Sequence, residues 1–217
     1  MLFRSITDSY EPGSTFKALT FAALFEEKVC DENERVNTEN GVFKYKNHYI
    51  RDTHKFEWLT VRQVLEESSN IGTAKLIQRL SDEKYYQYVR SFGFGTFTSI
   101  SLPGEVTGKL VDLSQWSDQT KTYMSFGYNI SVTSLQLTNA FCALVNGGIL
   151  YQPQIVKRLV DKNGNVIKEN SPVVVRRVIS DKTSTKMKFL LQKAVEKGTG
   201  KQARVDSLAV GGKTSVQ

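Results

Sequence analysis

The sequence is poor in the residues that build several common kinds of site. Among its 217 residues are two cysteines, two tryptophans, two histidines and four prolines. Cys30 and Cys142 both lie in apolar stretches, so we expect buried free thiols, with a disulfide or a nucleophilic thiol as the alternatives. Cysteine chemistry is therefore a weak explanation of what the chain does.

Long hydrophobic runs are also missing. The longest apolar stretches, residues 19–25 and 140–145, are far shorter than the roughly 20 residues that a membrane-spanning helix needs. Residues 1–5 are not followed by the apolar core of a secretion signal. We therefore expect no membrane span and no signal peptide in this sequence, and a targeting segment would have to lie outside it.

The charge is positive but not concentrated. There are 29 basic and 22 acidic residues, which gives a formal net charge of +7. Such a balance suits acidic partners of many kinds. Because no basic helix is interleaved with aromatic residues, the pattern argues against nucleic-acid binding. With 40% hydrophobic residues, the chain is expected to fold around one sizeable core.

Helical and strand-like segments alternate along the chain. Helices are predicted at 14–25, 60–66, 73–80, 82–92, 132–144 and 180–196, with an interruption at 68–72. Strands are predicted at 42–45, 156–160, 166–168, 173–179 and 208–210, with a hairpin turn at Asn163-Gly164. The mixture predicts a single α+β domain.

Ser14 and Lys17 form the first pattern with chemical meaning. Their spacing places a hydroxyl and an amine on one face of a helix that begins after Pro12-Gly13. A lysine whose pKa is lowered can take the proton of a serine and activate it as a nucleophile. The pattern alone is weak, because Ser81 and Lys84 have the same spacing at the start of a charged, solvent-exposed helix.

Two further patterns are equally weak when taken singly. Ser68 and Asn70 offer a hydroxyl and an amide in a tight turn, although a serine-rich helix cap explains them as well. Lys213 and Thr214 offer a cation and a hydroxyl for a carboxylate. A second Lys-Thr-Ser at 182–184 shows that the tripeptide has little specificity.

Taken in order, the three patterns resemble the SxxK, SxN and KTG motifs of penicillin-binding proteins and serine β-lactamases. Further segments narrow the resemblance to class B penicillin-binding proteins, in particular the FtsI-type division transpeptidases. These segments are LPGEVTG at 102–108, SFGYNISVT at 125–133, LQL at 135–137, NGG at 146–148 and VEKGTG at 195–200.

The resemblance implies a fold and an extent. The family has a β-lactamase/transpeptidase-like fold, with an antiparallel sheet flanked by helices and a mostly helical subdomain. Residues 1–217 would be a partial transpeptidase domain, because the family's membrane anchor, pedestal domain, early strands and the strands after KTG are not in this sequence. A truncated core of this kind leaves the activity of the isolated chain in doubt.

The resemblance also implies roles for the first two motifs. Ser14 would attack the penultimate D-alanine of a pentapeptide stem, with Lys17 as its base. Ser68 and Asn70 would move protons and position the peptide. The backbone N–H of Ser14 would form half of an oxyanion hole, a device that can lower a barrier by about 3 kcal/mol.

The third motif and an aromatic pair would bind substrate. Lys213 and Thr214, with Ser215 beside them, would hold the terminal carboxylate of the stem or of a β-lactam. Phe126 and Tyr128 would wall the substrate groove, although such a pair is as often plain core. No cofactor and no metal are implied.

The implied partners and location follow from wall synthesis. The partners are the peptidoglycan donor stem that ends in D-Ala-D-Ala, the acceptor amine of a neighbouring stem, β-lactams as covalent inhibitors, and membrane proteins of the division machinery. The location is the extracytoplasmic face of the bacterial inner membrane.

Ser215 departs from the family pattern. The family has glycine after Lys-Thr, where a side chain would crowd the substrate backbone. We hypothesise that about two residues are missing between Thr214 and Ser215, and consecutive Cα atoms about 3.8 Å apart would refute this.

Two other functions use the same scaffold. A β-lactamase or D,D-carboxypeptidase would deliver the acyl group to water, and Glu105 is the one tempting carboxylate for activating that water. A β-lactam-sensing or inactive binding module would acylate without turnover. The lifetime of the acyl-enzyme and the use of an amine acceptor distinguish these alternatives from a transpeptidase.

Overall fold

The computed structural model describes residues 3–215. Its helices are α1 (Arg4–Thr7), α2 (Lys17–Glu26), α3 (Val61–Glu66), α4 (Asn70–Ile77), α5 (Asp82–Ser91), α6 (Thr120–Met124), α7 (Ser134–Val145) and α8 (Asp181–Glu196). Its strands are β1 (Ser9–Tyr10), β2 (Arg35–Asn37), β3 (Val42–Tyr45), β4 (His48–Arg51), β5 (Trp58–Thr60), β6 (Lys109–Leu110), β7 (Ile130–Thr133), β8 (Ile149–Tyr151), β9 (Arg158–Val160), β10 (Val166–Glu169) and β11 (Val174–Arg177).

All the paired strands in this part of the chain are antiparallel. β7 lies between β1 and β6 in a three-stranded sheet. The other strands form the pairs β2–β5, β3–β4, β8–β11 and β9–β10. The predicted α+β class is confirmed, with the strands spread over several small sheets around the helices.

Helix α2 lies at the centre of the core. Every residue of Lys17–Glu26 except the last is buried, which is expected of a helix that is apolar on all sides. It packs against α3, α4, α5, α7 and α8. A helix held from so many directions gives its N-terminus a fixed position. Within residues 3–215 no helix has both the length and the apolar character needed to cross a membrane.

Many of the predicted helix ends, caps and turns are confirmed. Thr60 caps α3, and its hydroxyl and the Gln63 side chain form the reciprocal bonds of a capping box. Helix α8 begins at Asp181 after the Ser180 cap and ends at Glu196, as predicted. The hairpin β9–β10 and the strand β3 are also where the sequence places them.

Four local predictions are wrong. Residues 70–72 lie inside α4, so the interruption between α3 and α4 is shorter than predicted. The helix predicted from residue 132 begins at Ser134, because Ile130–Thr133 pairs as a strand with β1 and β6. Residues 208–210 form no strand, and Leu208 makes only an isolated bridge with Val205. Cys142 is exposed, whereas Cys30 is a half-buried free thiol.

Candidate active site

Ser14 lies in a 3-10 turn that leads into α2. The turn is Gly13–Phe16, and α2 begins directly after it at Lys17. In 3-10 geometry, side chains three residues apart are eclipsed, which places the side chains of Ser14 and Lys17 on one side of the turn. Ser14 is half-buried and Lys17 is completely buried. The turn therefore places a partly accessible hydroxyl on the same side as a buried amine.

A neighbouring loop supports the nucleophile turn through its backbone. The N–H of Gly13 donates to the carbonyl of Gly127 at 3.1 Å. Gly127 has φ +89°, and a Cβ there would lie 2.0 Å from the Gly13 carbonyl oxygen. Only glycine fits so close an approach in this conformation. The SFGYN segment therefore serves to hold the turn that carries Ser14.

Lys17 is buried, and among residues 3–215 it forms no salt bridge with a carboxylate. Its Nζ donates to the Ser68 carbonyl oxygen at 2.6 Å and to Ser68 Oγ at 3.2 Å. Burial lowers the pKa of Lys17 well below its ordinary value, and repulsion from Lys213 lowers it further, against an opposing attraction to Asp52. A lysine whose pKa is lowered in this way gives up its proton more readily than an ordinary lysine, and in its neutral form it can accept a proton from a serine.

Ser68 is hydrogen-bonded to both Lys17 and Lys213. Its Oγ accepts a hydrogen bond from Lys213 Nζ at 2.7 Å as well as the longer one from Lys17. The residue has φ +58°, a left-handed conformation that non-glycine residues seldom adopt. Strain of this kind persists where the surrounding structure holds it in place. The break between α3 and α4 thus directs the Ser68 hydroxyl between two amines.

Asn70 is the first residue of α4, directly after that break. Its side-chain Nδ2 donates to the Arg51 carbonyl oxygen at 3.0 Å. The bond orients the amide, and the side chain remains half-exposed. Asn70 is therefore held beside the Ser68 turn with polar atoms still open to a ligand.

The third motif lies in a segment without regular secondary structure that is bonded to α8 through the Gly212 N–H and the Leu191 carbonyl oxygen. Lys213 Nζ also donates to the Thr214 carbonyl oxygen at 2.9 Å, and burial lowers the pKa of Lys213 to about 8. Ser215 Oγ donates to the Pro12 carbonyl oxygen at 3.3 Å, next to the nucleophile turn. The structure therefore brings all three motifs together, although the strand that the sequence predicts at 208–210, shortly before Lys213, is not formed.

Comparisons with known proteins agree with this arrangement. Residues 1–214 match the family model of the penicillin binding protein transpeptidase domain. The chain belongs to the penicillin-binding protein transpeptidase family.

Relatives and solved structures place it within that family. Stage V sporulation protein D of Bacillus subtilis is 37% identical over 220 residues, which cover 96% of this chain and 33% of that protein. A probable peptidoglycan D,D-transpeptidase, PenA, of Neisseria meningitidis is 33% identical over 212 residues, which cover 97% and 34%. Penicillin-binding protein 3 of Mycobacterium tuberculosis, solved with aztreonam, has a TM-score of 0.84 at 30% identity over 93% of this chain and 47% of that chain.

These comparisons confirm the FtsI-like resemblance and the β-lactamase/transpeptidase-like fold. The chain spans about one third of the length of the curated relatives it matches.

Asp52 also contributes to the site of this penicillin-binding domain, although no sequence pattern indicates it. Its carboxylate accepts hydrogen bonds from Ser69 Oγ and from the backbone N–H groups of Asn70 and Ile71, the last two at 2.6 and 3.0 Å. It therefore holds the N-terminus of α4, where the helix dipole favours an anion. The isolated aspartate after β4 gave no sequence signal, because its partners lie 17–19 residues further along the chain.

The two residues of the aromatic pair lie in different environments, Phe126 in the core and Tyr128 at the surface. Phe126 is 4% exposed and packs with Ile50, Ile71 and Ala74. Tyr128 is 41% exposed and meets the Phe126 ring edge-on at 5.9 Å. The core explanation therefore fits Phe126, and Tyr128 keeps a surface available for contact with a substrate.

Glu105 is occupied in holding its own loop. Its carboxylate accepts bonds from Thr98 N–H and Oγ1 and from Ser99 N–H. These three bonds close the segment between Thr98 and Glu105. Glu105 therefore stabilises its own loop. Within residues 3–215, its carboxylate has no hydrogen bond to the serines and lysines of the three motifs.

Proposed function

We propose that this domain is a serine D,D-transpeptidase that cross-links peptidoglycan stem peptides through an acyl-enzyme on Ser14. The observation that carries the proposal is the buried Lys17 amine, which lies one 3-10 turn from Ser14 and is hydrogen-bonded to Ser68. A lysine whose pKa is lowered by burial is suited to act as the base that a serine nucleophile needs. The names of its relatives support the same class of reaction.

In the acylation step, Ser14 Oγ attacks the carbonyl carbon of the penultimate D-alanine while its proton passes to Lys17 Nζ. The Ser14 N–H lies in the first turn of a helical segment, where backbone donors lack intrahelical partners and stabilise an oxyanion. The C–N bond then breaks, and the departing D-alanine amine takes a proton through Ser68. The product is an ester on Ser14.

In the second step, the amine of a neighbouring stem attacks that ester. An amide bond forms, the acceptor amine gives up a proton to the Lys17 and Ser68 pair, and the pair returns that proton to Ser14 as its C–O bond breaks. Asn70 positions the donor peptide. Lys213 and Thr214, with Ser215 at the edge, hold the terminal carboxylate during acylation, and Tyr128 contributes to the groove wall.

The site favours transfer to an amine over hydrolysis. A hydrolase of the kind weighed above needs a carboxylate that activates water at the ester, and Glu105 is bonded to Thr98 and Ser99 instead. A β-lactam acylates Ser14 by the same attack, and its C–N bond breaks with opening of the ring. The amine that forms remains attached to the acyl group and does not depart, so the β-lactam stays bound as a covalent inhibitor.

The wider biological setting belongs to the same proposal. Two observations support a role outside the cytoplasm in septal wall synthesis. They are the FtsI-like resemblance and the relatives that are named as probable peptidoglycan D,D-transpeptidases. We place the protein at the extracytoplasmic face of the inner membrane, with membrane proteins of the division machinery as partners.

Labelling with fluorescent penicillin tests the nucleophile. The protein and a Ser81→Ala variant should each gain one adduct by intact mass, and Ser14→Ala should gain none. Equal labelling of Ser14→Ala would remove Ser14 from the mechanism. The acceptor is tested with a D-Ala-D-Ala pentapeptide and an added amine, where a cross-linked product supports transfer and an acyl-enzyme that hydrolyses within seconds indicates a hydrolase.

A further inference from the structure

Thr199 lies in the loop after α8 and contacts two of the three motif regions. Its Oγ1 is 2.6 Å from Thr214 Oγ1 and 3.4 Å from the carbonyl oxygen of Glu66. Glu66 ends α3, two residues before Ser68. The Thr199 hydroxyl therefore connects the Ser68 segment with the hydroxyl of the third motif.

The backbone around Thr199 is fixed by close contacts. The Thr199 N–H donates to the Glu66 carbonyl at 3.0 Å, and the Gly200 N–H donates to the Ala194 carbonyl at 3.0 Å. A Cβ on Gly198 would lie 2.3 Å from the Glu66 carbonyl oxygen, so only glycine permits this approach. The loop therefore presents the Thr199 hydroxyl to Thr214 in a defined place.

The direction of the hydroxyl hydrogens follows from the acceptors. A carbonyl oxygen can only accept, so a bond between Thr199 Oγ1 and Glu66 uses the hydrogen of Thr199. The hydrogen of Thr214 then points to Thr199. If Thr199 instead donates to Thr214, the hydrogen of Thr214 is free for a ligand. The Glu66 carbonyl oxygen stays hydrogen-bonded after this change, because the Thr199 N–H still donates to it.

We propose that Thr199 is a positioning residue for carboxylate recognition, and that its hydroxyl sets the direction of the Thr214 hydrogen. When an acyl donor or a β-lactam with a free carboxylate binds, the Thr199 hydroxyl turns from Glu66 to Thr214. Thr214 then donates to the carboxylate beside the Lys213 ammonium group. This inference rests on the proposed function, because it assigns a substrate carboxylate to the third motif.

Acylation by benzylpenicillin and by its methyl ester tests the proposal. The Thr199→Val change removes the hydroxyl and keeps the branched shape. We expect the second-order rate constant for the acid to fall about fivefold, the size of one neutral hydrogen bond, with the loss in initial binding rather than in the bond-forming step. The ester has no carboxylate to hold, so its slower acylation should be unchanged by the same substitution.

Three variants separate positioning from structure. Thr199→Ser keeps a hydroxyl and should restore most of the preference for the acid. Thr98→Val removes a hydroxyl bonded to Glu105 outside the site, and it should leave the acid-to-ester ratio unchanged. The double variant Thr199→Val with Thr214→Val should bind the acid no more weakly than Thr214→Val alone, because the first hydroxyl acts through the second.

The inference is overturned if Thr199→Val slows the acid and the ester equally, if Thr199→Ser fails to restore the preference, or if the two threonine changes are additive. Thr199→Ala gives the same readout if the valine variant does not fold. These outcomes differ from failure of the proposed function, which would appear as equal penicillin labelling of the protein and Ser14→Ala.

Discussion

Two Ser-x-x-Lys tetrads in this chain have the same spacing and very different surroundings. Ser81 caps α5, and Lys84 places its Nζ 3.4 Å from Glu27 with the side chain 45% exposed. Lys17 is 0% exposed and has a second lysine nearby. The spacing brings a hydroxyl near an amine in both places. Burial and a neighbouring cation distinguish the tetrad that can do chemistry from the one that begins a surface helix.

Replacing each lysine by methionine gives the largest expected contrast. Lys17→Met removes the base but fills the buried space, and acylation by penicillin should slow by about 10³-fold, within the usual range for a lost general base. Lys84→Met removes a partly exposed ion pair and should leave acylation unchanged. Stopped-flow acylation kinetics measure both. A fast Lys17→Met enzyme would assign the base to another group, with Ser68 and Lys213 as the next candidates.

The pH dependence of acylation should show two limbs from the two lysines. Acylation needs Lys17 without its proton and Lys213 with its proton. The rate should therefore fall as the pH drops through the lowered pKa of Lys17, and fall again as Lys213 deprotonates at about 8. Along each limb, well beyond the pKa that causes it, the rate should change by about tenfold per pH unit.

Lys213→Arg sharpens this test. Arginine keeps its charge across the accessible range, so the alkaline limb should move upward while the acid limb remains. An alkaline limb that stays near 8 in this variant would show that another group causes it.

The elements that the sequence predicts well are those with strong local signals. The capping box of α3, the Ser180 cap of α8 and the Asn163-Gly164 turn are each fixed by residues a few positions apart. The three motifs were found for the same reason, because each is short and their order is informative. Local chemistry therefore predicts most helices and the positions of the candidate site residues.

The features that the sequence does not predict depend on distant partners. Ile130–Thr133 is a strand because β1 and β6 pair with it, although residues 132–144 read as one helix. The left-handed conformation of Ser68 and the hydrogen bonds of the Asp52 carboxylate depend on groups that are distant in sequence. Hydrogen bonds between residues far apart in sequence create the site, and a single sequence gives no measure of them.

Asp52→Asn tests whether such a long-range contact matters to the chemistry. The change weakens two backbone bonds and one serine bond at the start of α4, so acylation should slow by about tenfold, as expected for a lost charge-assisted interaction. The loss of the negative charge should also lower the pKa of Lys17 further, because Asp52 opposes the effects of burial and Lys213. The acid limb of the rate profile should then move to lower pH.

Asp118→Asn is the matched control. Asp118 pairs with Lys46 on the surface with its side chain 83% exposed. It should change neither the rate nor the acid limb. A rate loss in Asp52→Asn with an unshifted acid limb would make Asp52 a purely structural residue.

The two Lys-Thr-Ser tripeptides give the smallest expected effect on acylation. Ser184 is buried, donates to the Leu144 carbonyl at 2.8 Å and accepts from the Gly147 N–H at 3.0 Å. Ser215 is exposed, and its hydroxyl donates to the Pro12 carbonyl oxygen at 3.3 Å. Ser184→Gly should therefore cost about 3 kcal/mol of stability through a lost buried network and a helical glycine, with acylation unchanged.

Ser215→Gly should do the reverse. It removes a side chain at the edge of the carboxylate site, where the family has glycine, so stability should hold and acylation by penicillin should rise by a few-fold. Thermal melting and acylation kinetics on the two variants separate these outcomes. If Ser215→Gly slows acylation, the bond from Ser215 to Pro12 helps to hold the nucleophile turn, and the serine is a functional part of this site instead of an obstruction.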